Sequence, residues 1–260
     1  MRVLGDDPPA SEEAIRTAAA AAVWALPRAL AALVTRPPGG GERPGAAPPA
    51  GGPDASSVGR LDAATGGPDA GATEEVLDAS AAALARRIGS GAIGAGAGGL
   101  ACVFVPDPDA PGRRRQLEAA LDGQAAALGP TVAWAQAGAS LRRAASALRL
   151  ELRGTSLLIA DEHLARLLLT ADPGLGAELA ATRLAPLHGL PEAQRARLTD
   201  TLAAWLDRPG QVQAVAAVLG VHPQTVRYRL GRLRELFGER LEDPEARFEL
   251  GLALRVARMR

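Results

Sequence analysis

The chain predicts an α+β protein. A small α/β layer precedes a mostly helical C-terminal region with a helix-turn-helix, and an N-terminal helix and a disordered linker come before both. Three observations carry this. Residues 211–237 repeat apolar side chains at helical spacing on either side of a glycine turn. Residues 99–159 interleave short runs rich in Val, Leu and Ile with helical stretches. Residues 36–72 are rich in Pro and Gly with few apolar anchors.

A chain of 260 residues has room for one or two domains with real cores. Its 29 basic residues balance 29 acidic ones, so no global field draws it to nucleic acid. Every basic residue is Arg, which with the high Ala, Gly and Pro content points to a GC-rich coding sequence. Cys102 is alone, which excludes an internal disulfide framework and fits a reducing cytoplasm.

Taken in order, residues 11–35 read as an Ala-rich helix, with Val23, Leu26, Leu30 and Leu33 as its apolar positions. Ser11 followed by Glu12 and Glu13 marks its start, and Pro27 kinks or breaks it. Residues 17–34 are long enough to raise a membrane question. Their Ala content is weakly hydrophobic, Pro27-Arg28 interrupts them, and Asp6 and Asp7 stand where an export signal would be basic. A helix packing on a partner helix, as in a dimer, is the preferred reading for domain 1–35. The segment 36–72 then serves as linker, because it cannot bury enough surface to fold.

Residues 73–89 return to a helix with Leu77, Leu84 and Ile88 on one side. The following GSGAIGAGAGG contains Gly89-x-Gly91-x-x-Gly94, the spacing of a dinucleotide fingerprint. A helix precedes it and a strand follows, the reverse of the order a phosphate loop needs, so it reads as a flexible connection. Strands are expected at 99–106, 131–136 and 156–159, and helices at 112–128 and 140–150, with the helices on one face of the layer. Arg113, Arg114 and Arg115 open a helix and read as a solvated face. Residues 170–197 read as helices and a loop leading into the last domain.

In the C-terminal region, Leu198, Leu202, Trp205 and Leu206 mark a first helix. Val212, Val215, Ala216 and Leu219 form one face of the next helix, and Gly220 ends it in the left-handed conformation. Pro223 suits the first position of the helix 223–237, whose inward face is Val226, Leu230, Leu233 and Phe237. Two short helices around a tight glycine turn make a motif that reads DNA. The outward face of the second helix carries Gln224, Arg227, Tyr228, Gly231 and Arg232, with Thr225 near its edge, and the candidate DNA-binding residues are His222, Gln224, Thr225, Arg227, Tyr228, Arg229 and Arg232. Arg forks onto guanine edges or phosphates, Gln pairs with adenine, and hydroxyls suit phosphate oxygens. Arg229 and Arg234 lie nearer the apolar stripe, where backbone contacts or internal pairing are expected. Gly231 costs helix stability and leaves room for a phosphate or a neighbouring backbone. Over 199–260 ten Arg face eight acids, a net of +2 that a dimer would double. Asp243 caps a last helix with two apolar faces, Phe248/Leu252/Val256/Met259 and Leu250/Leu254/Ala257. One face covers the core; the other is a second core contact or a dimer seam, with the seam slightly preferred.

The segments LTDTLAAWLD (198–207), AAVLGVHPQTVRYRLGRLRELFG (216–238) and LEDPEARFELGLALR (241–255) resemble the C-terminal DNA-binding domain of PucR/CdaR-type bacterial transcription regulators. The run V-H-x-x-T-V-R-Y-R-L is the most specific part. Gln211 and Gln224 stand where that family usually carries Asn. The strand at 100–105, residues 140–148 and residues 183–187 resemble, more weakly, the family's GGDEF-like middle domain. Arg143 stands where an acid is commoner. The Gly-Gly-Asp/Glu-Glu-Phe hairpin of cyclic-dinucleotide synthases does not occur, so the resemblance implies a structural, dimerising or regulatory domain over 73–190 and DNA binding over 195–260.

Other chemistry has weaker support. Asp161, Glu162 and His163 offer metal-ligand types, but Asp161 precedes the apolar Leu164, Leu167 and Leu168 and reads better as a helix cap. The three histidines are scattered, which gives no support for a hydrolytic triad. The sequence therefore predicts a cytoplasmic, non-enzymatic regulator that binds double-stranded DNA as a homodimer. No catalytic residue, metal or cofactor is assigned, membrane association is not expected, and any small-molecule effector is unspecified. The alternative is a protein-interaction or ligand-responsive scaffold whose helix-turn-helix contacts protein.

Overall fold

The computed structural model describes residues 11–21, 23–36, 68–89, 91–150, 152 and 155–259. The chain divides into two compact units, Met1–Leu167 and Leu168–Arg260.

The first unit is built on a five-stranded mixed sheet. Its strands are β1 (Leu30–Thr35), β2 (Ile93–Ala97), β3 (Leu100–Pro106), β4 (Ala126–Leu128) and β5 (Leu157–Ile159). Their order is β2-β3-β1-β4-β5, all neighbours antiparallel except β4 and β5. The helices are α1 (Glu12–Ala21), α2 (Pro68–Ile88), α3 (Arg113–Leu121) and α4 (Ala137–Leu148).

The central strand is where a helix was expected over 11–35. The helix stops at Ala21, and Val23 takes a left-handed φ of 51° just beyond it. Pro27 then keeps helix from resuming. All six residues of β1 are buried. A strand covered on both faces shows no polar alternation, so its apolar run looks like one side of a helix. Leu30, Ala32 and Val34 face α1 and α4, packing with Ile15, Phe104, Ala144 and Ala147. Ala31 and Leu33 face α2 and α3, packing with Leu84, Ile88, Val103 and Leu117. Helices therefore cover both faces of the sheet, which corrects the expectation of one.

The glycine-rich stretch after α2 is not a flexible connection. It forms β2, hairpinned onto β3 through the turn at Gly98 and Gly99. A Cβ on Gly94 would stand 2.3 Å from the Ala81 carbonyl oxygen, and one on Gly96 2.7 Å from Leu77. The glycines let β2 lie directly on α2, and the Gly96 N–H donates to Asp78 Oδ1 at 2.6 Å. A close approach of this kind occurs also where Gly129 meets Ser140. The Ser140 hydroxyl, fully buried, accepts from the Ala32 N–H at 2.9 Å and donates to the Pro130 carbonyl at 2.7 Å.

Several boundaries also move. The helix expected over 112–128 ends at Leu121, and the chain turns through Asp122 and Gly123 into β4. The strand expected at 131–136 is a single bridge at Val132 followed by a 3-10 turn. Arg113 is buried, donating to the Pro106 carbonyl and Gln116 Oε1, so only the rest of that arginine run is a surface. Asp161 lies inside a 3-10 turn and pairs with Arg143 at 3.6 Å instead of capping a helix. The linker expected over 36–72 falls largely outside the described residues, and its end moves to before Pro68.

α5 (Leu164–Leu169) follows β5 and a 3-10 turn. The second unit contains α6 (Pro173–Arg183), α7 (Ala185–His188), α8 (Glu192–Asp207), α9 (Val212–Leu219), α10 (Pro223–Phe237) and α11 (Pro244–Arg258). Its one core holds Leu184, Leu187, Leu198, Leu202, Trp205, Val226, Leu233 and Leu250. Leu179, Leu184, Leu187 and Leu190, assigned from sequence to the α/β domain, pack with the helices that follow them. Arg183 Nη2 donates to Glu249 Oε1 at 2.9 Å, and the two side chains form an ion pair that ties α6 to α11.

Candidate nucleic-acid interface

The local sequence explains how α9 and α10 are held. Val215 and Ala216 bury the inner side of α9. Gly220 ends it at φ 63°, and its N–H reaches back to the Ala216 and Ala217 carbonyls. A residue with a side chain is strained there, so glycine sets the angle at which the chain leaves α9. His222 is extended, and its Nδ1 accepts from the Gln224 N–H at 3.2 Å, capping α10 ahead of Pro223. Val226, Leu230, Leu233 and Phe237 are buried as one stripe against α8, α9 and α11. That stripe fixes the rotation of α10 about its axis, and hence which side chains face outward.

The outward set is narrower than the sequence predicted. His222, Gln224, Arg227 and Tyr228 are exposed, with Tyr228 70% accessible. A tyrosine with that much ring in water, amid polar neighbours, is available for contact. Arg227 Nη1 donates to Gln224 Oε1 at 3.4 Å, so the two candidate base-reading groups lie side by side. Thr225 is half-buried.

Arg229 turns inward. Its Nη1 donates to Thr201 Oγ1 of α8 at 3.4 Å, and that buried hydroxyl donates to the Arg197 carbonyl at 2.7 Å. Arg229 is therefore a positioning residue that ties α10 to α8. Thr201 escaped the sequence reading, because a hydroxyl between Leu198 and Leu202 on the apolar side of a helix reads as a tolerated exception. Arg232 pairs with Glu235, one turn along. Arg234 stands 3.9 Å from Glu242.

The last helix is capped as expected, with Asp243 Oδ2 accepting from the Ala246 N–H at 2.7 Å. Leu250, Ala253 and Leu254 enter the core. Val256 packs against α6, where a Cβ on Gly176 would lie 3.4 Å from it. On this second apolar side of α11 Val256 is buried, Leu252 and Met259 are half-buried and Phe248 stays 60% exposed.

Among the described residues, no three of His, Cys, Asp and Glu are gathered as a metal site, and no helix is long and apolar enough to cross a membrane. Cys102 lies in the sheet, where burial pushes its thiol up to about 11. A thiol so placed is a packing group rather than a nucleophile.

Residues 198–256, which contain this interface, match the family described as the PucR C-terminal helix-turn-helix domain. The chain carries a C-terminal helix-turn-helix domain of the PucR family. It is 34% identical over 128 residues to an uncharacterized protein from the pkwA 5' region of Thermomonospora curvata, covering 42% of this chain and 71% of that one. It is 41% identical over 75 residues to the purine catabolism regulatory protein of Bacillus subtilis, a match spanning 28% of this chain and 14% of that protein. Among solved structures it is similar to a regulator of polyketide synthase expression from Bifidobacterium adolescentis, at 20% identity and a TM-score of 0.37, over 94% of this chain and 86% of that one.

Proposed function

We propose that this PucR-family chain is a sequence-specific, DNA-binding transcriptional regulator whose helix α10 enters the major groove. The observation that carries the reading is the outward face of α10. Gln224, Arg227 and Tyr228 stand in water on a helix whose opposite stripe is locked into a core. In this reading Arg227 and Gln224 address base edges. His222, Thr225, Tyr228 and Arg232 address phosphates, with Arg232 released from Glu235 on binding. Arg229 orients the helix from behind.

We read the active form as a cytoplasmic homodimer on paired half-sites. The modest net charge of +2 over 199–260 and the exposed ring of Phe248 on α11 support this. We read the α/β unit as a GGDEF-like regulatory or dimerising element, with no catalytic residue assigned.

The test is binding of the purified chain to a labelled duplex from its own upstream region, followed by fluorescence anisotropy across a salt series. With Arg232 of each protomer neutralising a phosphate, about two in the dimer, a fourfold rise in salt should weaken binding roughly tenfold. Absence of binding at low salt would contradict the proposal and direct the search to a protein partner.

A further inference from the structure

Gly231 stands in the interior of α10, where glycine weakens a helix by about 1 kcal/mol relative to alanine. The fold supplies no reason for it. Its backbone is helical, and a Cβ built there would meet nothing within 4 Å. This separates it from Gly94 and Gly129, where a Cβ would strike backbone at 2.3 and 2.2 Å, and from Gly220, whose φ is 63°. Of the two reasons the sequence offered for this glycine, a neighbouring backbone is removed, because no described atom outside its own helical turns lies within 4 Å of that Cβ.

The position of Gly231 points to what does. It lies four residues after Arg227 and three after Tyr228, on the same face of α10. It also lies eight residues after Pro223, roughly 12 Å along the axis at about 1.5 Å per residue. That is about the width of the major groove. A helix entering the groove by its N-terminal end meets the far phosphate wall about there, with Arg227, Arg232 and Arg234 around the point of approach.

Resting on the DNA-binding reading above, we infer that Gly231 is the point of closest approach between the recognition helix and the DNA sugar–phosphate backbone. The missing side chain lets the helix axis seat deeper than any other residue would allow. A phosphate contact carries no sequence information, so the effect is uniform across sequences.

The experiment compares the full-length wild type with Gly231→Ala and Gly231→Leu, using melting temperature and affinity for an upstream duplex and for random competitor DNA. Gly231→Ala should melt a few degrees higher. It should bind both DNAs about tenfold more weakly, and Gly231→Leu more weakly still. Gly251→Ala serves as control: on α11 its Cβ meets only the tip of Arg255, at 3.2 Å, and affinity should not change. Wild-type affinity in Gly231→Ala overturns the inference alone, as does a lowered melting temperature, which would show that the fold requires the glycine. Failure of the wild type itself to bind DNA overturns the DNA-binding reading and this inference with it.

Discussion

Arg227 and Arg229 are two residues apart on one helix, yet they do different work because the buried stripe turns one to water and the other to α8. Arg229→Ala should lower stability by about 0.5–1.5 kcal/mol, the net value of an ordinary hydrogen bond, and leave DNA contacts in place. Arg227→Ala should leave the melting temperature unchanged within error and cost about 1–3 kcal/mol of discrimination at one base position. Thermal melts beside binding to single-base operator variants separate the two. Ser140 makes a third case. Ser140→Ala removes the acceptor for the buried Ala32 N–H and should destabilise the α/β unit by about 1–3 kcal/mol, read by urea titration. Cys102 follows from burial. With its thiol raised from 9.0 to about 11 by burial, it stays protonated through the pH range in which a free thiol ionises. Stability from the protonated form is therefore intact below about pH 9 and declines as pH rises toward 11. At pH 8 alkylation should be slow in the folded chain and fast in urea; fast labelling of the native protein would contradict the burial.

At the scale of elements, the pattern was legible wherever one side of a helix meets water. α4 and α10 have clear polar faces, and the Gly220 turn and Asp243 cap follow from local chemistry. The candidate interface was legible for the same reason: Gln224, Arg227 and Tyr228 are outward because Val226, Leu230 and Leu233 are inward. What the sequence hid was burial on two sides and contact over distance. β1 has no polar face to betray its period, and β2 reads as a loop because glycine is what lets it touch α2. The partner of Arg229 lies 28 residues away, beyond any local spacing rule. Gly94→Val tests the glycine account. A side chain at that position must displace the Ala81 backbone, so the variant should lose at least ~1–3 kcal/mol or fail to accumulate folded.

At the scale of the whole molecule, the division at Leu167/Leu168 gives the helical unit more than the three-helix motif. Leu184 and Leu187 are buried in the same core as Leu202 and Leu233, and Arg183 is ion-paired with Glu249. A fragment starting at residue 195 loses all three contributions. It should be less stable than a 168–260 fragment by on the order of 4 kcal/mol or more, from the two leucines alone. Equal stability in chemical denaturation would place the boundary back near 195.

The measurement that bears most directly on the central claim is a gel shift of the full-length chain on its own upstream DNA against excess competitor, beside an Arg227→Ala, Arg232→Ala double variant of equal melting temperature. The wild type should shift a discrete site and the variant should not. Retention of the discrete complex by the folded double variant would contradict the assignment of α10 as the reading helix.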